Sequence, residues 1–340
     1  MNVLLTGGLG FIGSHTVVEL VNSNYNVIII DNLSNSKILV LENIYQLCDK
    51  NKITFYEGDI LNNHHLNNVF TNIDIVIHFA AHKSVAESLK KPLQYYNNNI
   101  NGLINLLNKC KEFNINKFIF SSSATIYGSS ESPLLENSKT GTDITSPYGK
   151  TKYFSEIILQ DYCNSNKNFN VISLRYFNPV GAHKSGLIGE DPNDIPNNLM
   201  PFILKVAKKN NLTNNLENIY DSLSIFGNNY ETNDGTCERD FIHVVDLAKA
   251  HVKSCDKIGK INNYETFNIG TGNPISVLQL VNTFIKINKI KLPYIFKEKR
   301  EGDNSKNYCN CSKALKILNW KSEYDIYDIC KDSYNFIKKN

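Results

Sequence analysis

The chain has one tryptophan, two methionines and nine prolines. No apolar run approaches the roughly twenty residues that a membrane-spanning helix needs. None of the eight cysteines forms a C-x-x-C pair; Cys309 and Cys311 are the one close couple, and no histidine-rich segment accompanies them. A zinc site is therefore not expected, nor any other metal, and scattered thiols suit a reducing cytosol better than a secreted disulfide framework. Basic residues (36) nearly balance acidic ones (33), and the lysines cluster only in short pairs such as Lys208-Lys209 and Lys338-Lys339. Without a basic stripe, neither nucleic acid nor a membrane surface is expected as a partner. The opening Met1-Asn2-Val3-Leu4-Leu5-Thr6-Gly7 becomes glycine-rich too soon for a signal peptide. The expected location is cytoplasmic.

What is present is the material of a large globular core. The 340 residues are 41% hydrophobic and 20% charged. That length exceeds one typical domain of about 100–200 residues and leaves room for a smaller second unit. Asn2–Leu5, Asn26–Ile30, Ile53–Tyr56, Ile73–Phe79, Phe118–Phe120 and Val171–Leu174 read as strands, nearly continuous in apolar residues as strands covered on both faces are. Helices are expected at Ser14–Asn22, Pro92–Phe113 and Tyr148–Cys163. This alternation predicts an α/β fold, a Rossmann-like, doubly wound parallel sheet. From about Gly181 the rhythm breaks, with Pro192, Pro196 and Pro201 among irregular segments, and helices return at Ser312–Leu318 and Tyr324–Ile337. The expected division is a dinucleotide-binding unit, 1–178 plus about 237–267, and a smaller C-terminal substrate-binding unit, 179–236 plus about 268–340. The asparagine-rich stretch Lys209–Asn215 reads as an exposed loop extension.

Thr6-Gly7-Gly8-Leu9-Gly10-Phe11-Ile12-Gly13 lies between the first strand and the first helix. Glycines there let backbone approach a pyrophosphate, and the helix N-terminus offers N–H donors. Such turns are common in themselves; the strand-to-helix context makes this one a nucleotide loop. The second strand ends in Asp31-Asn32, roughly 20 residues on, where an acid holds a ribose 2′-hydroxyl and repels a 2′-phosphate. NAD is expected over NADP. Gly58-Asp59-Ile60 and Phe79-Ala80-Ala81-His82-Lys83 end the third and fourth strands, where open α/β sheets bind ligands.

Tyr148 and Lys152 stand four apart, on one helix face. The spacing is cheap: it recurs at Tyr327–Lys331 and Tyr334–Lys338, which read as ordinary exposed helix faces. Position separates the first pair, since it follows a fifth strand ending in Ser121-Ser122-Ser123-Ala124-Thr125. A tyrosine acting as a base near neutral pH needs its pKa lowered by about 3 units, or roughly 4 kcal/mol. A neighbouring ammonium and a cationic nicotinamide would supply that, and Ser123 can hydrogen-bond the substrate hydroxyl.

These residues resemble the extended short-chain dehydrogenase/reductase family, in its nucleotide-sugar 4-epimerase branch. The resemblance spans essentially the whole chain and rests on Leu5–Thr16, Asp31–Lys37, Ser121–Gly128, Ser146–Lys152, Arg175–His183, Ile195–Pro201, Arg239–Val244 and Arg300–Asp303. It implies interconversion of UDP-glucose and UDP-galactose by transient oxidation at C4, with NAD as a resident cofactor, in galactose metabolism. It implies Tyr148 as base with Ser123 and Lys152 beside it, and Lys152 on the nicotinamide ribose. It implies NAD contacts at Gly7, Gly10, Phe11, Ile12, Gly13, Asp31, Asn32, Asn35, Ser36, Asp59, Ile60, Phe79, Ala80, Lys83, Asn98 and Phe177, together with Tyr148 and Lys152. It implies UDP-sugar contacts at Lys83, Ser123, Thr125, Tyr148, Asn178, Asn198, Leu199, Ser224, Ile225, Phe226, Arg239, Arg300 and Asp303. The two arginines suit a pyrophosphate; surface ion pairs are the competing reading. A homodimer is implied, with Pro92–Phe113 and Tyr148–Cys163 supplying a helix bundle.

The chain departs from the family pattern at Ala81, often glycine, and at Asn307, where a small side chain would leave room for N-acetylated sugars. A 4,6-dehydratase on the same fold would carry Asp-Glu where Ala124-Thr125 stand. Epimerases of UDP-glucuronate or UDP-pentoses are closer rivals. A redox sensor that binds NAD without turnover would be expected to lack Tyr148 or Lys152.

Overall fold

Strand β1 (Asn2–Thr6) lies inside a seven-stranded sheet whose pairs all run parallel. The computed structural model describes residues 1–192, 198–212, 221–300 and 302–340. Ile195-Pro196-Asn197, Glu301 and Thr213-Asn214-Asn215, each part of a motif or stretch singled out above, lie outside the described residues. The other strands are β2 (Asn26–Asp31), β3 (Ile53–Glu57), β4 (Ile75–His78), β5 (Lys117–Ser123), β6 (Asn170–Tyr176) and Tyr264–Ile269. Across the sheet the order is Tyr264–Ile269, β6, β5, β4, β1, β2, β3. The chain winds outward one way from β1 and then the other way from β4, so a crevice opens between these two at their carboxyl ends.

Alternation along each strand feeds two cores. Leu4, Val76, Phe118 and Phe120 face one side, against Leu103, Leu106 and Leu107 of helix Gly102–Glu112 and Leu159 of helix Pro147–Ser165. Val3, Leu5, Ile77 and Ile119 face the other, against helix α1 (Phe11–Asn22) and helix Val244–Lys257. Ala314, Leu318 and Trp320 return to this second face from late in the chain. Each fully buried leucine contributes about 1.5–3 kcal/mol relative to exposure. A third core joins Met200 and Ile203 of helix Leu199–Asn211, Leu280 and Phe284 of helix Val277–Asn288, and Ile329 and Phe336 of helix Ile326–Lys339.

Several expectations are corrected. Pro92–Phe113 is not one regular helix: the α-turns of Pro92–Tyr96 and Gly102–Glu112 flank a wider π-turn at Asn97–Asn101. Lys209-Asn210-Asn211 is not loop but the last turn of a helix. Asn210 and Asn211 donate back to the Val206 and Ala207 carbonyls, and Asn211 also exchanges hydrogen bonds with the Lys291 backbone. Tyr334 is not on an exposed face: it is buried in the third core, with the Lys338 ammonium over its ring. Tyr264–Ile269, not read as a strand, completes the sheet.

Candidate functional site

The glycine loop is built by crowding. Gly7 has φ +71°, and a Cβ there would lie 2.8 Å from the Ala80 nitrogen. A Cβ on Gly13 would lie 2.3 Å from the Gly7 carbonyl oxygen. The Phe79 and Ala80 amides both donate to the Thr6 carbonyl at 3.0 Å, which locks the loop after β4 to the loop after β1. Gly10 stands at the N-cap of α1, and no side chain caps that terminus. Its N–H groups are thus available to an anion.

Asp31 sits at the end of β2 as expected. Its Oδ2 accepts from the Leu9 amide at 3.0 Å, and its Oδ1 from the Leu33 amide and the Ser36 hydroxyl. Oδ2 keeps acceptor capacity for a ribose hydroxyl. Asn32 donates to Asp59 at 3.0 Å, joining the ends of β2 and β3. Asn98 lies in the π-turn and donates to Asn99. Asn99, which the sequence did not single out, ties His82 on the β4 loop to Thr151 on the catalytic helix. An uncapped helix end, a loop where no Cβ fits and a buried carboxylate with spare acceptor capacity together fit a dinucleotide.

Ser146 caps the helix Pro147–Ser165 by accepting from Gly149 at 3.1 Å, with Pro147 in the first turn. Tyr148 is thereby presented beside Ser123, whose hydroxyl also accepts from the Thr125 hydroxyl at 3.0 Å. Burial pushes the Tyr148 phenol above its ordinary value; the Ser123 hydroxyl and the Lys83 ammonium oppose that rise. Lys152, expected to assist Tyr148 by its charge, donates to the Ser121 carbonyl oxygen at 2.6 Å. Burial lowers its pKa to about 7. The Lys83 ammonium, on the loop after β4, lies close enough to favour the ionised phenol.

Lys83 pairs with Glu190 at 2.8 Å, and Asn198 donates to the same carboxylate oxygen at 3.0 Å. Burial alone would lower the Lys83 pKa, but Glu190 and Tyr148 hold it above its ordinary value. Arg239 donates to the Glu238 and Asn304 carbonyls and lies 3.6 Å from Asp303. Arg300 lies over the ring of Phe226, its Cζ 3.9 Å from the ring centre, at the end of the strand Leu223–Phe226 that carries Ser224 and Ile225. Phe177 is packed with Ala124, Tyr127 and Cys309. Asn178 opens a short strand paired with Phe241–His243, and Leu199 starts the helix Leu199–Asn211. Among the described residues no cluster of potential metal ligands occurs.

The model of the NAD dependent epimerase/dehydratase family matches residues 3–270. The chain belongs to this family. It is an NAD-dependent enzyme of the epimerase/dehydratase family. It is 46% identical to the UDP-glucose 4-epimerase of Pasteurella multocida over all of this chain and 98% of that one. It is 45% identical to the Caenorhabditis elegans UDP-glucose 4-epimerase, again over 100% and 98%. The crystal structure of the Bifidobacterium longum UDP-glucose 4-epimerase, a complex with NAD⁺ and UDP, superposes with a TM-score of 0.92 at 43% identity, covering 100% of this chain and 99% of that one.

Glu190 was missed because nothing in Gly189-Glu190-Asp191-Pro192 carries a spacing signal. The buried ion pair of Glu156, on the catalytic helix, with Arg175, on β6, was missed for the same reason.

Proposed function

We propose that the chain is a UDP-glucose 4-epimerase, interconverting UDP-glucose and UDP-galactose. The observation that carries this is the meeting of Ser123, Tyr148 and Lys83 at the carboxyl ends of β4 and β5, beside the glycine loop. NAD, when bound, supplies the reversible two-electron oxidation at the sugar C4. The Tyr148 phenolate oxygen takes the proton of the 4-hydroxyl and later returns it. The Ser123 hydroxyl holds the same sugar oxygen and favours the ionised phenol. Arg239 and Arg300 carry the charge of the UDP pyrophosphate, and Phe226 with Ser224 and Ile225 cradles the nucleotide. Anchored there, the 4-keto sugar turns its other face before the proton returns.

The residues assigned above to NAD and UDP-sugar fill those roles, and the division into 1–178 plus 237–267 and 179–236 plus 268–340 separates cofactor from substrate, with 314–320 returning to the sheet. A second copy of the chain covers the exposed Leu93 (81% accessible), Phe154 and Ile157 on helices Pro92–Tyr96 and Pro147–Ser165, making a homodimer. Eight free cysteines suit a cytoplasmic enzyme. No helix among the described residues is long and apolar enough to cross a membrane.

A second substrate pair, UDP-GlcNAc and UDP-GalNAc, is favoured by Asn307. It sits in the strand pair with Arg239, where a small amide would leave room for a substituent at the sugar's C2.

The test is to incubate purified protein with UDP-galactose, with and without added NAD⁺, and to follow UDP-glucose by chromatography. Product without added cofactor supports the reading with resident NAD. No product, or a 4-keto-6-deoxy sugar, refutes it. Tyr148→Phe should reduce turnover by about 100-fold or more while leaving UDP binding intact.

A further inference from the structure

We infer that Glu190 is a positioning residue for the catalytic proton: it holds the Lys83 ammonium beside Tyr148 and limits the positive charge that the phenol feels. The inference rests on the epimerase reading above and deepens it.

The Glu190 side chain is 8% accessible. Its Oε1 accepts from Lys83 at 2.8 Å and from Asn198 at 3.0 Å, while its Oε2 is buried with no partner among the described residues. A buried carboxylate with one oxygen unsatisfied is costly unless a nearby cation holds it ionised. That cation is Lys83, and the same ammonium acts on Tyr148. Glu190 therefore joins a lysine beside the base to an asparagine assigned to the UDP-sugar. The next residue, Asp191, pairs with Lys37 beyond the end of β2, so two successive carboxylates pin two lysines at the mouth of the crevice.

Among the described residues, the groups that bear on Tyr148 come from neighbouring loop and strand ends. Lys83 comes from the loop after β4, Ser123 from the end of β5 and Tyr176 from the end of β6. Lys152 shares its helix but is turned to Ser121, 4.9 Å above the Phe120 ring. Facing Lys83 are Glu190 and Tyr148. Removing the Glu190 charge leaves an uncompensated ammonium beside the phenol. An opposite charge within about 4–6 Å lowers a pKa by about 1–3 units, and the partial exposure of Lys83 places the effect at the low end.

The experiment compares Glu190→Gln, Lys83→Met and the double variant with the unmodified protein. With UDP-galactose as substrate, the acidic limb of kcat/KM should move about one pH unit lower in Glu190→Gln. It should move higher in Lys83→Met, and the Glu190 change should then have no further effect. Tyrosinate absorbance, taken as the difference from Tyr148→Phe on the same background, reads the same midpoint without turnover and should move the same way. A merely structural Glu190 would lower activity at every pH and leave both midpoints in place, which overturns the inference. If Glu190→Gln does not fold, Glu190→Asp withdraws the carboxylate by one methylene and should give a smaller shift of the same sign; an unmoved midpoint there overturns it equally. Absence of epimerisation by the unmodified protein would instead remove the epimerase reading itself.

Discussion

Arg175 and Glu156 meet in a buried two-pronged contact, Nε to Oε1 at 3.0 Å and NH2 to Oε2 at 2.7 Å. Glu156 lies one turn past Lys152 on the catalytic helix, and Arg175 lies on β6. Arg175 also donates to the Tyr127 hydroxyl and the Glu136 carbonyl, and Tyr127 donates to Asn268 at 2.6 Å. The network fixes the rotation of the helix that presents Tyr148. Removing one partner strands a buried charge, so Glu156→Gln or Arg175→Met should cost about 3–5 kcal/mol of stability. Urea unfolding measures it; a loss under about 1 kcal/mol would show the pair to be dispensable.

Gly13→Ala tests the cofactor cradle. Its Cβ would press on the Gly7 oxygen and on the Gly8 Cα, 2.8 Å away. Neither is the end of a flexible side chain, so helix and loop must part. The expected outcome is purified protein carrying little NAD, measured by denaturing it and quantifying the released nucleotide. Full retention would show that the loop can yield without losing the dinucleotide.

Lys152 gives the ligand-free protein a distinct pH signature. Its folded pKa of about 7 lies below the 10.5 of a free lysine. Between those values the unfolded chain binds a proton that the folded chain does not. This residue therefore makes the protein more stable as pH rises through that window, by up to ~1.4 kcal/mol per unit, and contributes no slope below it. Denaturant unfolding of the ligand-free protein and of Lys152→Met, compared from neutral to alkaline pH, should show a difference that shrinks as pH rises. A constant difference would contradict the buried, readily deprotonated lysine.

Asn307→Tyr probes sugar selectivity. The larger ring should reduce turnover of UDP-GalNAc about tenfold or more while sparing UDP-galactose. Equal effects on both substrates would show that position 307 does not read the C2 substituent.

Much of this was legible in the chain. The six strands announced themselves because residues such as Val3, Leu4 and Leu5 are apolar on both faces. The loops after β1, β2 and β4 were readable because their chemistry is local: a glycine cluster, an acid, a short run of small residues. The strand Tyr264–Ile269 was not, since Tyr264, Glu265 and Thr266 are only partly covered at the sheet's edge and break the apolar signal. The π-turn was hidden because one extra residue in a helix leaves no mark on composition. Glu190 could not be found because its partners, Lys83 and Asn198, are distant in sequence or carry no shared spacing. Lys152 shares a helix face with Tyr148, as the i, i+4 spacing predicts, but spacing alone could not show that its Nζ also donates to the Ser121 carbonyl.

The strand Tyr264–Ile269 also constrains how the chain can be cut. It pairs along Val171–Tyr176, although the first part of the third core, from Val180 to Phe241, and the helix Val244–Lys257 separate the two in sequence. A fragment ending near residue 180 would keep the glycine loop, Asp31, Ser123, Tyr148 and Lys152, yet would leave β6 as a bare border of unpaired amides and carbonyls flanked by Leu174 and Ile172. Such a border recruits further strands from neighbouring molecules. The isolated N-terminal piece should precipitate, and a split version should regain solubility only when the piece carrying residues 264–269 is supplied alongside it.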